Sequence, residues 1–162
     1  MMEPREAERR FFLQPGQIFV SDEPYRVFTV LGSCVAVCAW DPRRGCGGMS
    51  HQIYPRALEG PGGAAFGAQA VPHLLRLLVG LGAAREDLRA HLVGGGANPS
   101  LGSTIGDENV ALAEEILARA RVAVVSRDVG GLLGRKVAFS TFSGEIAVYK
   151  IERIRETDWY GR

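Results

Sequence analysis

Apolar and polar positions alternate along several short segments near the start of the chain, which is the pattern of half-buried β-strands. Residues 17–21 alternate in this way, residues 27–31 form an apolar run, and residues 35–40 alternate between two sets of apolar side chains. Each segment is bounded by glycine, proline or serine, the residues that favour turns. The pattern predicts three strands in this region.

A glycine-rich break follows the third of these strands. Its turn-forming residues are Asp41, Pro42, Gly45, Gly47 and Gly48. We predict that the break reverses the chain, so that residues 49–54 lie beside residues 35–40 as a hairpin or crossing partner.

Two later segments repeat their apolar residues at helical spacing. In the first, a leucine stripe follows Pro72, which suits a first-turn position, and Gly80 or Gly82 can end the helix. The leucines are Leu74, Leu77, Leu78 and Leu81. In the second, Asp107 occupies the position expected of an N-cap. Its apolar face consists of Val110, Ala113, Ile116, Leu117 and Ala120.

Short apolar segments in the second half of the chain predict further strands. Residues 90–93 and 122–125 are two of them, and residues 137–139 and 146–151 form a hairpin across Ser143-Gly144. Residues 128–134 between them are predicted to be a loop.

Two glycine-rich stretches have several interpretations. Residues 58–67, with four glycines and a proline, are either a loop over an active site or a solvated connection. Residues 94–96 are three successive glycines, but no lysine with serine or threonine follows at phosphate-loop spacing. Close backbone packing explains these three glycines better than a phosphate cradle.

The chain has 162 residues, of which 46% are hydrophobic, enough for one domain with a sizeable core. We predict a mobile leader at residues 1–10, a single domain at residues 11–151 and a C-terminal tail at residues 152–162. The alternation of strands with two amphipathic helices predicts an α+β fold, with mixed or antiparallel sheet packed against the helices.

Charge and targeting signals narrow the class of function. The net charge is +1, from 19 basic and 18 acidic residues without a basic stripe, which argues against nucleic acid as a partner. No apolar run reaches the roughly 18 residues of a spanning helix, and the charged start MMEPREAERR does not resemble a signal peptide. Three cysteines, an odd number, fit a reducing compartment, and we expect a cytoplasmic protein.

Cys34 and His51 are the candidate catalytic pair. Cys34 follows the Gly32-Ser33 turn at the start of a buried strand, and the predicted reversal brings His51 toward it. A free thiol is only about 3% ionised at pH 7, and an adjacent imidazolium would raise that fraction. The alternative is that Cys34 is a small core residue and His51 a hydrogen-bonded core histidine.

A zinc site is a second interpretation of the same region. Its ligands would be Cys34, Cys38, Cys46 and His51. The spacing argues against it, because structural zinc usually takes cysteine pairs two to four residues apart on loops. His73 and His91 have no matched partner in the sequence, and we assign them no role.

The cysteine and histidine lie in motifs that resemble those of the CheD family. LGSCVAV is followed by an Asp-Pro turn, GGMSH and a proline four residues after the histidine. Further matches are FFLQPGQIFVS, GAAREDLRAHLVGGGAN, IGDENV and DVGGLLGRKVAFSTFSGEIAVYK, so the resemblance covers residues 11–150.

The resemblance implies a chemoreceptor glutamine deamidase without a cofactor. It implies the cysteine-hydrolase fold that this family shares with certain deamidating toxins. Cys34 would form a thioester with a glutamine side chain, His51 would move the proton, and backbone N–H groups at residues 33–35 would stabilise the oxyanion. The products would be glutamate and ammonia, and glutamyl methyl esters are a further candidate substrate.

The third catalytic group is less well defined. Many family members have a threonine six residues before the cysteine, where this chain has Phe28, with Thr29 one residue nearer. Neighbouring strand residues face opposite sides, so Thr29 is expected to reach His51 only through a bulge or shift. Ser50 replaces an asparagine that is frequent in the family and is a candidate influence on substrate fit.

The resemblance also implies two partners, the cytoplasmic domain of a chemoreceptor and a CheC-family phosphatase. The free protein is expected to be a monomer. Two other functions stay open: a binding module that regulates a CheC-type phosphatase with little catalysis, and a general thiol amidase or protease.

Overall fold

Two β-sheets pack face to face, and two α-helices cover the outer face of the larger sheet. The computed structural model describes residues 8–60, 62–98, 100, 102–155 and 157–158, and this part of the chain contains nine strands. The α+β class predicted from the sequence is confirmed.

The first sheet has four strands in the order β1-β3-β8-β9, and the second has five in the order β2-β5-β4-β6-β7. Strands β1 and β3 are parallel, as are β6 and β7, and the other neighbours are antiparallel. The four-stranded sheet contains β1 (Arg9–Phe12), β3 (Tyr25–Leu31), β8 (Gly134–Ser140) and β9 (Ile146–Ile151). The five-stranded sheet contains β2 (Ile18–Ser21), β5 (Cys46–Gln52), β4 (Val35–Asp41), β6 (Arg89–Gly94) and β7 (Ala123–Val129).

Strand β4 separates two hydrophobic layers, as its alternating pattern predicts. Val35, Val37 and Ala39 face helices α1 (Gly67–Gly80) and α2 (Ile105–Arg119). Ala36, Cys38 and Trp40 face the four-stranded sheet, where Val27, Leu31 and Phe139 meet them. Because β4 is buried on both faces, it fixes the positions of both layers.

The chain crosses from one sheet to the other within residues 32–34. Strand β3 ends at Leu31 in the four-stranded sheet, and β4 begins at Val35 in the five-stranded sheet. The short connection therefore holds the two sheets together beside Cys34.

Both helices begin earlier than the sequence predicts. Helix α1 begins at Gly67, so Pro72 lies inside it rather than in its first turn. Helix α2 begins at Ile105 with Thr104 as N-cap, so Asp107 is in the first turn. Neither N-cap side chain makes a capping hydrogen bond, which removes the local signal by which a helix start is recognised.

Several strand boundaries also differ from the prediction. Strand β5 begins at Cys46, so Gly47 and Gly48 lie inside it. A Cβ atom at Gly48 would clash with the Phe19 carbonyl oxygen, so close packing rather than a turn requires glycine there. Strand β7 continues to Val129, which shortens the predicted loop at residues 128–134.

The predicted leader overlaps the first strand. Strand β1 includes Arg9 and Arg10 and pairs with β3, two residues before the expected start of the domain at residue 11. Residues 1–7 of the leader and residues 156 and 159–162 of the tail lie outside the described residues.

Candidate active site

Cys34 lies at the end of the crossing between the two sheets. It is half-buried, while the preceding Ser33 is exposed and the following Val35 is fully buried. This places the thiol at the edge of the inter-sheet core, where it packs against apolar side chains and still reaches the surface.

All three carbonyl groups of the turn at residues 32–34 accept hydrogen bonds from the body of the protein. The N–H of Gly96 donates to the Gly32 oxygen at 2.9 Å, and the N–H of Gly95 donates to the Cys34 oxygen at 2.9 Å. Nδ2 of Asn109 donates to the Ser33 oxygen at 3.1 Å. The turn is therefore held in one conformation.

The three glycines at residues 94–96 provide this close approach, in agreement with the packing role predicted for them. Gly94 has φ +113°, and a Cβ atom there would clash with the Cys34 carbonyl oxygen. A larger residue would push β6 away from the turn, and the left-handed backbone favours glycine independently.

His51 lies on the same face of the five-stranded sheet as Cys34. The antiparallel register pairs His51 with Ala36, which is two residues after Cys34. Cys34 directly precedes β4 and packs against the same inter-sheet cluster as Ala36, so it faces the same layer as His51. The predicted pairing of the two segments as a hairpin is confirmed.

Thr29 contacts His51 from the opposite sheet. Thr29 Oγ1 and His51 Nδ1 are 2.7 Å apart, and both side chains are buried. No bulge is needed, because β3 pairs with β8 in continuous register and Thr29 shares the inner face with Val27 and Leu31. The expectation that Thr29 requires a bulge is wrong, since the parity of β3 already directs it inward.

The hydrogen bonds of Thr29 determine which ring nitrogen of His51 carries the proton. The Thr29 hydroxyl donates its hydrogen to the Leu13 carbonyl oxygen at 2.9 Å. Toward His51 the same oxygen can then only accept, so Nδ1 is the protonated nitrogen of the neutral ring. Nε2 is consequently the basic nitrogen.

Phe28 and Ser50 point away from this site. Phe28 stacks on Phe12, with ring centroids 5.0 Å apart. The Ser50 hydroxyl donates to Oε1 of Gln52 at 2.8 Å on the helix-facing side of the sheet. Ser50 therefore does not share the sheet face of His51, and its influence on substrate fit stays a prediction.

Burial keeps both candidate catalytic groups neutral. It lowers the pKa of His51 to about 4 and raises the pKa of the Cys34 thiol, although the N–H of Cys34 opposes the latter shift. Burial therefore disfavours a thiolate–imidazolium pair in the free protein.

The other cysteines do not join the pair in one ligand set. Cys46 packs among the helix-facing residues, whereas Cys34 and Cys38 face the other sheet. Among the described residues, no three histidine, cysteine, aspartate or glutamate side chains converge as a metal site. The zinc interpretation therefore fails on geometry.

The remaining histidines lie elsewhere. His91 Nε2 is 2.7 Å from the Gly144 oxygen and Nδ1 is 2.5 Å from the Ser126 hydroxyl, which gives it a structural role between the sheets. His73 is exposed on α1.

A groove of about 630 Å³ borders the turn that precedes Cys34. Its lining includes the exposed apolar residues Tyr54, Leu132 and Leu133, together with Ser33. The groove therefore reaches the residue that directly precedes Cys34.

Asn109 is a site residue that sequence reasoning did not single out. It is 2% exposed, and Nδ2 donates to the Ser33 oxygen and to the Ile53 oxygen, the latter at 2.9 Å. The available signal was a polar residue on the buried face of α2, three residues before Leu112 and four before Ala113.

A half-buried thiol, a buried imidazole with defined tautomer and a hydroxyl that orients it constitute a candidate thiol-hydrolase site. The site lies between two sheets of an α+β domain. In the described part of the chain, no helix has the length and apolarity needed to span a membrane.

Comparison with known proteins assigns the family. The family model described as CheD chemotactic sensory transduction matches residues 56–150. "Probable chemoreceptor glutamine deamidase CheD 1" of Anaeromyxobacter dehalogenans is 45% identical over 138 residues, covering 82% of this chain and 80% of its own. A "Probable chemoreceptor glutamine deamidase CheD" of Trichlorobacter lovleyi is 41% identical over 142 residues, covering 85% and 88%. The one of Sulfurimonas denitrificans is 32% identical over 147 residues, covering 88% and 94%.

The chain belongs to the CheD family. The family model begins after Cys34 and His51, but an alignment over 82% of a 162-residue chain necessarily extends across both positions. The resemblance identified from the sequence motifs is confirmed.

Proposed function

We propose that this protein hydrolyses the side-chain amide of specific glutamines in chemoreceptors, giving glutamate and ammonia through a thioester on Cys34. The substrate class follows the names of its relatives. The observation that carries the chemistry is the bond between Thr29 and His51 Nδ1, because it leaves Nε2 as a base on the sheet face that Cys34 shares.

The first half of the reaction forms the thioester. His51 Nε2 accepts the thiol proton as Sγ attacks the amide carbon of glutamine, and the carbonyl oxygen becomes an oxyanion. Backbone N–H groups at residues 33–35 are its candidate donors. The imidazolium then protonates the amide nitrogen, the C–N bond breaks and ammonia leaves.

The second half consumes water. His51 Nε2 removes a proton from a water molecule, whose oxygen attacks the thioester carbon. The C–S bond breaks, the proton returns to Sγ, and the side chain is released as glutamate. Burial disfavours both a resting imidazolium and a resting thiolate, so the proton is transferred during attack.

The direct test uses a receptor cytoplasmic fragment that contains its target glutamines. Mass spectrometry before and after incubation should find a gain of about one dalton at glutamine, with release of one ammonia. Cys34→Ala should abolish this gain. Cys38→Ala, the same substitution on the same face of β4, should retain it if the protein folds.

Absence of any mass gain with folded wild-type protein would contradict the enzymatic proposal. It would favour the alternative function, a binding module for a CheC-type phosphatase. Turnover of unrelated glutamine peptides at the same rate would indicate a general thiol amidase instead.

A CheC-family phosphatase is the partner we propose besides the receptor, with both complexes formed in the cytoplasm and the free deamidase a monomer. If the phosphatase covers the groove beside Ser33, it should slow alkylation of Cys34 by iodoacetamide. Alkylation at an unchanged rate in a saturated complex would place the interface elsewhere.

A further inference from the structure

Asn109 makes two hydrogen bonds that link the two segments carrying the candidate catalytic pair. One bond goes to the carbonyl oxygen of Ser33, the residue before Cys34, and the other to that of Ile53, two residues after His51. Asn109 is on α2, a separate element from both segments. Its side chain therefore bridges the Cys34 turn and the end of β5.

The orientation of the Asn109 amide is determined by its partners. Both partners are carbonyl oxygens, which only accept, so Nδ2 must face them and Oδ1 must face away. Within the described residues Oδ1 has no hydrogen-bond partner although it is buried. An unsatisfied buried oxygen is unfavourable, and its presence suggests that the two donated bonds serve something other than stability.

The backbone packing of α2 explains how Asn109 reaches the turn. A Cβ atom at Gly106 would lie 2.5 Å from the Gly95 carbonyl oxygen, so the first turn of α2 lies directly against residues 94–96. Asn109 is three residues after Gly106, on the same face of the helix. The close contact of Gly106 with residues 94–96 thus brings Asn109 within hydrogen-bond distance of the turn.

The bond to Ser33 fixes the peptide that joins Ser33 to Cys34. In a planar trans peptide the C=O and N–H groups point in opposite directions. With the Ser33 oxygen held by Asn109, the N–H of Cys34 faces away from α2. Gly95 and Gly96 hold the two neighbouring carbonyl groups, so Asn109 supplies the one restraint on this peptide that comes from a side chain among the described residues.

We infer that Asn109 is a positioning residue for the deamidation reaction: it sets the Ser33–Cys34 peptide so that the Cys34 N–H stabilises both the thiolate and the oxyanion. The effect on the oxyanion rests on the proposed function, because the oxyanion forms only during deamidation. The effect on the thiolate does not rest on it, because the thiol also ionises in the free protein. The N–H of Cys34 already favours the ionised form of its own thiol.

The test compares Asn109→Ala and the nearly isosteric Asn109→Asp with Leu112→Ala. Leu112 is buried one turn further along α2, and its apolar side chain forms no hydrogen bond to the Cys34 turn or to the end of β5. It is therefore a matched control for loss of packing. Each full-length variant is assayed by thermal melting, by the pH dependence of Cys34 alkylation with iodoacetamide, and by ammonia release from the receptor fragment.

Both Asn109 variants should shift the alkylation curve to higher pH. They should lower kcat about ten- to a hundredfold with little change in KM, because a misplaced group loses transition-state stabilisation rather than binding. Leu112→Ala should have a lower melting temperature than wild type but keep the wild-type alkylation curve and kcat.

Three results would overturn the inference. The first is an unchanged alkylation curve in both Asn109 variants. The second is an equal shift in Leu112→Ala. The third is failure of both Asn109 variants to fold at low temperature, which would make Asn109 a determinant of the fold. If wild type releases no ammonia, the proposed function fails, but the alkylation curves still decide the role of Asn109.

Discussion

At the scale of single residues, the bond between Thr29 and His51 has the most direct chemical consequence. It joins a hydroxyl from one sheet to an imidazole from the other, and the second bond of Thr29 to Leu13 fixes its direction. Because the Thr29 hydroxyl already donates its hydrogen to Leu13, its oxygen can only accept a hydrogen bond from Nδ1–H of His51. The Leu13 carbonyl group therefore determines the tautomer of His51.

Replacing Thr29 with valine keeps the strand propensity and volume and removes the hydroxyl. We expect kcat to fall roughly ten- to a thousandfold, because a misoriented base loses part of its contribution. The free energy of unfolding should fall by about 1–3 kcal/mol, since the Leu13 carbonyl loses its buried donor. Ammonia release and thermal melts measure the two effects.

Phe28→Thr is the matched control for that experiment. It places a threonine six residues before Cys34, but on the opposite face of β3, and removes the stacking on Phe12. The variant should be less stable and retain the kcat of the folded protein. Higher activity than wild type would show that position 28 rather than Thr29 faces His51.

The buried, neutral state of His51 makes stability depend on pH. Its folded pKa of about 4 is below the unfolded value of 6.5, so between these values the unfolded chain binds more protons at this position. Stability therefore falls as pH decreases from 6.5 to 4, by about 3 kcal/mol in total from this residue.

Denaturant unfolding at pH 7, 5.5 and 4.5 measures this dependence. Burial lowers the pKa of His91 in the same direction, so the difference between wild type and His51→Gln isolates the contribution of His51. Parallel stability curves for the two proteins would mean that His51 is not buried in its neutral form.

At the scale of elements, the approach of α2 to residues 94–96 depends on a glycine inside a helix. Gly106→Ala would place a Cβ atom 2.5 Å from the Gly95 oxygen and should displace the helix, with losses in both stability and activity. At Gly80, the last residue of α1, an added methyl group would have no atom within 4 Å. Gly80→Ala should instead stabilise by up to about 1 kcal/mol, the usual gain in helix propensity. Equal effects of the two substitutions on melting temperature would contradict the close packing.

The periodic pattern of the sequence predicts which side chains of a single strand or helix face the core. The alternation of residues 35–40 predicts both buried faces of β4, and the parity of Cys34 and His51 across a reversal places them on one face. Helix starts are missed because Phe66 and Thr104 make no side-chain cap.

Contacts between elements are not predicted in this way. The inward direction of Thr29 depends on how β3 packs against the other sheet, and the role of Asn109 depends on a close contact between two glycine segments. Neither relation has a local period, so neither can be predicted from the pattern along one element.

At the scale of the whole molecule, the end of the sandwich far from Cys34 is held by Asp41. Its carboxylate accepts N–H groups from Arg43 at 2.8 Å, Arg44 at 3.1 Å and Ala84 at 3.0 Å. Burial alone raises the pKa of Asp41, but these three donors together lower it below its usual value. The carboxylate thereby connects the β4–β5 turn to the segment after α1.

Asp41→Ala should lower the free energy of unfolding by about 2–4 kcal/mol, because three N–H groups lose a charged acceptor. Strands rise about 3.3 Å per residue, so Asp41 lies roughly 20 Å from Cys34 and kcat of the folded variant should be unchanged. Glu59→Ala, at an exposed carboxylate, is the control and should have no effect on stability. A large loss of kcat at unchanged stability in Asp41→Ala would show coupling along β4.

Because the chain crosses between the two sheets at residues 32–34, the catalytic site depends on how the sheets are aligned with each other. One sheet contributes the hydroxyl and the other contributes the thiol and the imidazole, so sliding of the sheets lengthens the bond from Thr29 to His51 without breaking any strand pairing. Hydrolysis should therefore decline during heating before the cooperative loss of strands. In this protein, catalytic rate would be an early indicator that the two layers have begun to shear.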